Sequence, residues 1–145
     1  ADVHLMYAEA LNAGSDDQAG AIAQINKVRV RAHASAIPDS PMPSKEEVFG
    51  LIVDERAREL CYEGKRRFDL IRWGLYETKV REAAKTYENP QPNASWVTTA
   101  MLAGFVNFNA ARHEILPIPQ SEISRNALIP QSEQNEGWGG NRKWK

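Results

Sequence analysis

Apolar residues in the first third of the chain recur at helical spacing and predict two short helices joined by a polar turn. The first covers residues 2–13, and the second runs from residue 18 to about residue 34 with Asp16 or Asp17 as its N-cap. The expected inward positions of the two helices are Val3, Met6, Tyr7, Ala10, Leu11, Ala21, Ile22, Ile25, Val28 and Ala32. Helices joined by so short a turn pack antiparallel, and this alanine-rich pair is typical of a tetratricopeptide-like hairpin. Since one hairpin leaves its outer face uncovered, we expect further helices to pack on it.

A third helix is predicted from Ser44, because Ser44 and Glu47 have the spacing of a capping box. The apolar stripe of this helix consists of Phe49, Ile52, Val53, Ala57, Leu60 and Cys61. The place of Cys61 on the stripe predicts a small core residue. Gly64 interrupts the pattern and is expected to allow a bend or a close helix crossing, after which a second apolar run continues to Gly74.

The rest of the sequence predicts one more helix and a long irregular ending. Residues 75–88 have helical spacing, residues 89–93 (NPQPN) break it, and residues 96–105 are ambiguous between strand and helix. Residues 105–109 are compatible with a short strand, and one helical turn begins at Pro119. The expected anchors of the tail are Ile118, Ile123, Leu128, Ile129 and Trp138. The predicted fold class is therefore mainly α, with a tetratricopeptide-like hairpin packed on further helices and an extended, irregular C-terminal segment.

Charged residues fill the positions between the apolar ones from residue 54 to residue 72. We interpret them as a structural lattice of ion pairs formed by Glu55, Arg56, Glu59, Glu63, Arg67, Asp69 and Arg72. Asp54 precedes Arg58 by four residues, the favourable order for a helical ion pair, and Glu63 precedes Arg67 in the same way. A glycosidase needs two carboxyl groups that face each other about 5–10 Å apart, whereas carboxylates on one helix edge point the same way. We therefore predict no catalytic residue in the lattice.

Arg29 lies on the apolar side of the second helix, so its guanidinium requires a carboxylate or several carbonyls as partners. Glu9, Glu55 and Glu59 are the candidates for that partner.

Composition argues against several classes of site. A net charge of −1 over 145 residues lacks the basic bias of a nucleic-acid-binding surface. The single cysteine cannot form an internal disulfide, the three histidines lack metal-ligand spacing, and the sequence has no phosphate-binding loop, so we expect no metal site and no cofactor. The sequence also lacks a run of about 18 apolar residues that would span a membrane. Trp96 lies outside the helical stripes and is the candidate for stacking on a ligand.

Three motifs occur in an order that resembles the SusD/RagB family, which comprises nutrient-binding lipoproteins on the outer membrane of Bacteroidetes. The first combines YAEALN (residues 7–12) with INKVRVRA (residues 25–32), and the second is ERARELCYEGKRRFDLIRWG (residues 55–74). The third is ILPIPQSEISRNALIPQSEQNEGW, which ends at Trp138. This closing motif departs from the family pattern in Ala127, where proline is usual, and in Trp138, where tyrosine is usual.

The resemblance implies that the chain is the carboxy-terminal portion of a SusD/RagB-like domain. It would comprise a helical core of about residues 1–88, a variable insertion of about residues 89–111 and a closing segment of about residues 112–145. The implied function is non-enzymatic binding of nutrients, with oligosaccharide expected, in partnership with a TonB-dependent outer-membrane transporter. The resemblance also implies a surface-exposed protein that is lipid-anchored through an upstream segment.

Two points are left open by this resemblance. The family's ligand contacts come mostly from regions earlier than these motifs, so no ligand-binding residue is transferred to this sequence. The alternative function is a generic helical-repeat interaction module, soluble and cytoplasmic, that binds a peptide in its groove. An upstream signal sequence with a lipid-accepting cysteine would distinguish the two functions.

Overall fold

The fold is mainly helical, as predicted. The structure, a computed structural model, describes residues 1–88 and 99–142, and within them the side chains of residues 1–86 and 103–142. The α-helices of this part of the chain are α1 Asp2–Gly14, α2 Gln18–Arg31, α3 Lys45–Glu59, α4 Arg66–Arg72, α5 Tyr76–Glu88, α6 Thr99–Val106, α7 Ala110–His113 and α8 Gln120–Arg125. Two 3-10 turns follow at Gln131–Glu133 and Glu136–Trp138. The chain divides into two compact units, with the boundary between Arg66 and Arg67.

The first unit is the predicted hairpin of α1 and α2, with α3 packed against both helices. In the turn, the carbonyl of Leu11 accepts a hydrogen bond from the amide of Asp17 at 3.0 Å. Asp17 then caps α2, because its carboxylate accepts from the Gly20 amide at 2.8 Å. Ala32, expected inside, is the exposed C-cap of α2. The core of the unit consists of Leu5, Ala8, Ala21, Ile22, Ile25, Val28, Val48, Ile52, Val53 and Leu60.

The inward face of α1 differs from the predicted one. Val3, Met6 and Tyr7 are exposed, at 71, 47 and 52% of their full surface. The buried residues of α1 are instead Leu5, Ala8 and Asn12. The side-chain amide of Asn12 donates to the carbonyl of Lys45 at 3.0 Å, which fastens this face of α1 to the start of α3. Both sets of residues recur at helical spacing, so the period alone did not indicate which face the neighbours would cover.

The third helix begins at the predicted capping box. Ser44 Oγ accepts from the Glu47 amide at 3.2 Å, and the Glu47 carboxylate accepts from the Ser44 amide at 2.7 Å. The helix ends at Glu59, so Cys61 lies in the following turn and is exposed, and the prediction of a core cysteine was wrong. Gly64 has a φ of +72°, which confirms the predicted bend. The alternative of a close crossing is wrong, because a Cβ at this position would meet nothing within 4 Å.

The second unit contains α5, which was predicted from its spacing, and the long ending of the chain. Residues 105–109 do not form the expected strand, since Phe105 and Val106 complete α6 in a stretch of good helix formers. The helical turn predicted after Pro119 is present as α8. Leu128 is 89% exposed and does not anchor the tail, because the Asn126 side chain accepts from its amide at 3.0 Å and holds it in a local turn.

Two buried amide side chains hold the closing segment in place. Gln134 accepts from the amide of Ile118 and donates to its carbonyl, both at 2.9 Å. Asn135 donates to the carbonyl of Leu116 at 2.7 Å. The expected apolar anchors Ile118, Ile123, Ile129 and Trp138 are half-buried. The segment is therefore fixed by polar side chains that bond extended backbone, as well as by apolar contact. The predicted break at residues 89–93 and the ligand candidate Trp96 lie outside the described residues.

Candidate functional site

In the first unit, the predicted charge lattice centres on Glu55. Its side chain is only 7% exposed, and its carboxylate pairs with the guanidinium of Arg29 at 2.7 Å. Arg29 also donates from Nε to the carbonyl of Ser35 at 2.8 Å. A second guanidinium, that of Arg58, approaches Glu55 at 3.4 Å. Of the three carboxylates that the sequence offered to Arg29, Glu55 is therefore the partner in the structure.

Arg56 is the most buried cation of the lattice, with a side chain that is 4% exposed. Its guanidinium pairs with Asp2 at 2.9 Å, and Lys65 pairs with the other oxygen of the same carboxylate. The hydrogen bond from Lys65, and then the one from Arg56, hold the pKa of Asp2 below its ordinary value of 3.8 although partial burial opposes this. Glu59 pairs with Arg31 of α2. Sequence reasoning missed Asp2, because its partners lie 54 and 63 residues away.

Glu63, Arg67, Asp69 and Arg72 are the remaining residues of the predicted lattice. Glu63 is exposed and lies in the turn after α3, so the helical Glu63–Arg67 pair that we expected was wrong. Arg67 donates instead to the carbonyl of His113 at 2.6 Å, inside the second unit. Asp69 and Arg72 form an ion pair at 3.0 Å. Whether these charges carry much of the stability stays a prediction.

In the part of the chain that the structure describes, guanidinium groups bind the carboxylates of the lattice on α3. Glu55 and Glu59 each bind a guanidinium through one carboxylate oxygen, which offsets the negative charge. Within residues 1–88 and 99–142, no three His, Cys, Asp or Glu side chains come together as metal ligands. The structure therefore favours a structural role for these side chains over acid–base catalysis.

A pocket of about 400 Å³ opens in the second unit. The described lining residues come from α4 to α7, from the loops after α6 and α7, and from the last 3-10 turn. They are Arg67, Tyr76, Gly104, Phe108, Arg112, His113, Leu116 and Trp138. Its volume lies in the range of small-molecule sites, and its aromatic lining is typical of them.

Aromatic contacts arrange the wall of the pocket. Tyr76 and Phe108 meet edge to face with ring centroids 5.2 Å apart, and Phe108 lies 5.6 Å from the ring of His113. Arg67 approaches the Tyr76 ring at 6.0 Å. His113 Nδ1 accepts from the amide of Asn109 at 2.9 Å, so in neutral imidazole the proton is on Nε2. These contacts fix the orientation of the rings that line the site.

Trp138 also lines the pocket. Its indole Nε1–H is shared between the carbonyls of Arg112 at 3.0 Å and Ile115 at 2.9 Å. The guanidinium of Arg112 stacks over the indole, with Cζ 4.2 Å from the ring centroid. Gly137 makes this packing possible, because a Cβ there would lie only 2.5 Å from the backbone of Ala111 and Arg112. The Gly–Trp pair of the closing motif thus brings the tail against α7.

Comparison with known proteins identifies the family of this chain. The model of the SusD family matches residues 1–138. The chain belongs to the SusD family. The three ordered motifs that suggested this family lie within the matched residues.

Named relatives agree with this assignment. SusD-like protein P25 of Formosa agariphila is 34% identical over 140 residues, which cover 95% of this chain and 24% of the relative. SusD-like protein P2 of the same organism is 32% identical over 90% of this chain and 24% of the relative. Starch-binding protein SusD of Bacteroides thetaiotaomicron is 30% identical over 95% of this chain and 20% of the relative. No solved structure gives a significant match.

The chain therefore spans between a fifth and a quarter of the length of these SusD-family relatives. In the part that the structure describes, no helix is long and apolar enough to cross a bilayer. Sequence reasoning missed the pocket, because its residues are scattered over five elements and none was a ligand candidate. The available signal was the pair Gly137 and Trp138 in the closing motif, which we used for the family and not for a site.

Proposed function

We propose that this chain is the carboxy-terminal portion of a non-enzymatic, nutrient-binding component of a bacterial outer-membrane uptake complex. The observation that carries the proposal is the SusD-family match over residues 1–138. One relative is named a starch-binding protein, and its similarity to 95% of this chain supports a glycan as the nutrient. The neutralised carboxylates of α3 are in keeping with binding rather than catalysis.

The proposed partner is a TonB-dependent transporter, and the proposed location is the cell surface, with a lipid anchor supplied by a segment upstream of this chain. Both rest on the resemblance to the SusD/RagB family. We also propose the division into a helical core at about residues 1–88, an insertion at about 89–111 and a closing segment at about 112–145. In that arrangement the buried amides of Gln134 and Asn135 belong to the closing segment.

The test is made on the full-length protein in its own bacterium. We expect it in the outer-membrane fraction, labelled by a fatty-acid tracer, cleaved by protease added to intact cells, and co-purified with a TonB-dependent transporter. Affinity electrophoresis in gels that contain starch or other glycans then tests nutrient binding. A soluble cytoplasmic protein that captures a peptide and no glycan would contradict the proposal and favour the helical-repeat interaction module.

A further inference from the structure

We propose that the pocket lined by Tyr76, Phe108, Arg112 and Trp138 binds an anionic sugar residue, one that carries a carboxylate or a sulfate. This inference rests on the proposed function in taking a sugar as the ligand and adds a second claim, the negative charge. The lining residues that the structure describes all belong to the second unit. Trp96, the sequence-based candidate, is not part of it.

The charge of the lining is the first argument. Arg67 and Arg112 both line the pocket, and the eight described lining residues include no aspartate or glutamate. Within the described residues, neither guanidinium forms an ion pair with a carboxylate. Arg29 and Arg81, by contrast, are paired with Glu55 and Glu77. Two uncompensated guanidinium groups in one concave site attract an anion.

The orientation of Arg112 is the second argument. Its guanidinium stacks on the Trp138 indole at 4.2 Å, and the indole is itself held by two backbone carbonyls. Stacking uses the face of the guanidinium and leaves its N–H edges in the plane available. A carboxylate or sulfate accepts two parallel hydrogen bonds from such an edge. Arg112, held over the indole, therefore has N–H edges that can bind an anion in bidentate fashion.

The hydrogen-bonding character of the other polar groups agrees with this. Arg67 is oriented by the His113 carbonyl at 2.6 Å and keeps further N–H groups, while His113 has its proton on Nε2 because Nδ1 accepts from the Asn109 amide. The polar lining is therefore rich in donors. Sugar hydroxyls donate as well as accept, whereas an anionic oxygen only accepts, so a donor-rich lining favours the anion.

The aromatic rings of the lining are the reason for proposing a sugar and not a simple anion as the ligand. Tyr76, Phe108 and Trp138 provide flat apolar surfaces beside the cationic groups, and each of these residues is half-buried. The C–H faces of a pyranose suit such surfaces, and a bare phosphate or sulfate ion would leave them uncovered. A cavity of about 400 Å³ is at the small end of ligand sites, which suits a sugar residue rather than a long oligosaccharide.

The test uses calorimetric titration of the full-length protein with three probes: trigalacturonate, its methyl ester and glucose 6-sulfate. The ester has the same shape without the charge, so we expect at least about tenfold weaker binding than for the acid. Binding of the acid alone assigns the site to carboxylated sugars, and binding of glucose 6-sulfate alone assigns it to sulfated ones. Equal binding of acid and ester would overturn the inference.

Variants locate the site. Arg112→Gln removes one positive charge and the stacked guanidinium, and it should weaken binding of the acid about tenfold or more. Arg112→Lys keeps the charge without the planar edge, so its affinity for the acid should lie between those of the parent protein and Arg112→Gln. Arg125→Gln is the matched control, since Arg125 is an exposed arginine of α8 outside the pocket, and it should bind as the parent protein does.

The outcomes separate this inference from the proposed function. If neutral glycans bind and none of the anionic probes does, the inference of an anionic pocket is wrong and the proposed nutrient binding stands. If no glycan binds, both the anionic pocket and the proposed nutrient binding are wrong. Anionic binding that is lost equally in Arg112→Gln and Arg125→Gln would reflect net charge alone and would also overturn the site. Circular dichroism of each variant confirms that the fold is retained.

Discussion

Replacing Gly137 by alanine tests whether close backbone packing of the closing segment on α7 builds the pocket. The added Cβ would lie 2.5 Å from the carbonyl carbon of Ala111 and from Cα of Arg112, and closer still to the Ala111 carbonyl oxygen. Non-bonded carbon atoms rest about 3.5–4.0 Å apart, so the two backbones would have to separate by about 1 Å. Neither contact is with a flexible side chain that can rotate away.

The expected cost follows from this geometry. Overpacking of this kind destabilises by about 1–3 kcal/mol. The shift would also lengthen the two hydrogen bonds from the Trp138 indole, each with a net value of about 1 kcal/mol. We expect a local loss of about 2–4 kcal/mol, which corresponds to amide exchange that is faster by a factor of about 30 or more.

The assay is hydrogen exchange measured by mass spectrometry on the full-length protein, read on peptides that cover residues 110–138. Gly104→Ala is the matched control, because Gly104 lies in α6 of the same unit and a Cβ there would meet nothing within 4 Å. That variant should be neutral or more stable by up to about 1 kcal/mol through improved helix propensity. Exchange in Gly137→Ala that matches Gly104→Ala would refute the packing argument.

Three further predictions concern the first unit. In urea titrations, Arg56→Met should lower the free energy of unfolding by about 3 kcal/mol, because it leaves the Asp2 carboxylate without its buried partner. The control Arg58→Met, at an exposed site, should change the free energy of unfolding by less than about 0.5 kcal/mol. The lowered pKa of Asp2 gives stability that is present above 3.8 and is lost as the pH falls through the folded pKa. In melting curves recorded from about pH 6 to pH 2, Asp2→Asn should therefore lose less stability on acidification than the parent protein. An unchanged dependence of the melting temperature on pH would contradict this. Gly64→Ala should cost about 1–2 kcal/mol because φ is +72° although the space is open, and Gly64→Asn should cost less; a more stable Gly64→Ala in thermal melts would contradict the strain argument.

Features decided within a few residues could be predicted from the sequence. The Ser44–Glu47 capping box involves a separation of three residues, and so does the cap that Asp17 forms on α2. The order of helices, the bend at Gly64 and the turn after Pro119 have the same local origin. Family membership was also accessible, because it depends on motifs that are contiguous in the chain.

Where the sequence offers two equivalent apolar patterns, only the tertiary structure shows which residues are buried. Val3, Met6 and Tyr7 are as helically spaced as the residues that α1 buries, and only the positions of α2 and α3 decide which stripe is covered. Cys61 continues the apolar stripe of α3, yet the helix ends before it and leaves it exposed. A periodic pattern indicates that one face of a helix is apolar, whereas burial of that face depends on whether another element packs against it.

The pocket depends entirely on contacts between distant residues. Arg67 has the spacing of a helical partner for Glu63, but its bond goes to the His113 carbonyl 46 residues away. Trp138 reaches the carbonyl of Arg112 across 26 residues, through the close approach that Gly137 permits. No local period links such positions, since the energy that holds them comes from packing and backbone hydrogen bonds formed only after the chain has folded. The helices follow from local spacing, and the candidate site follows from how the chain brings separate segments together.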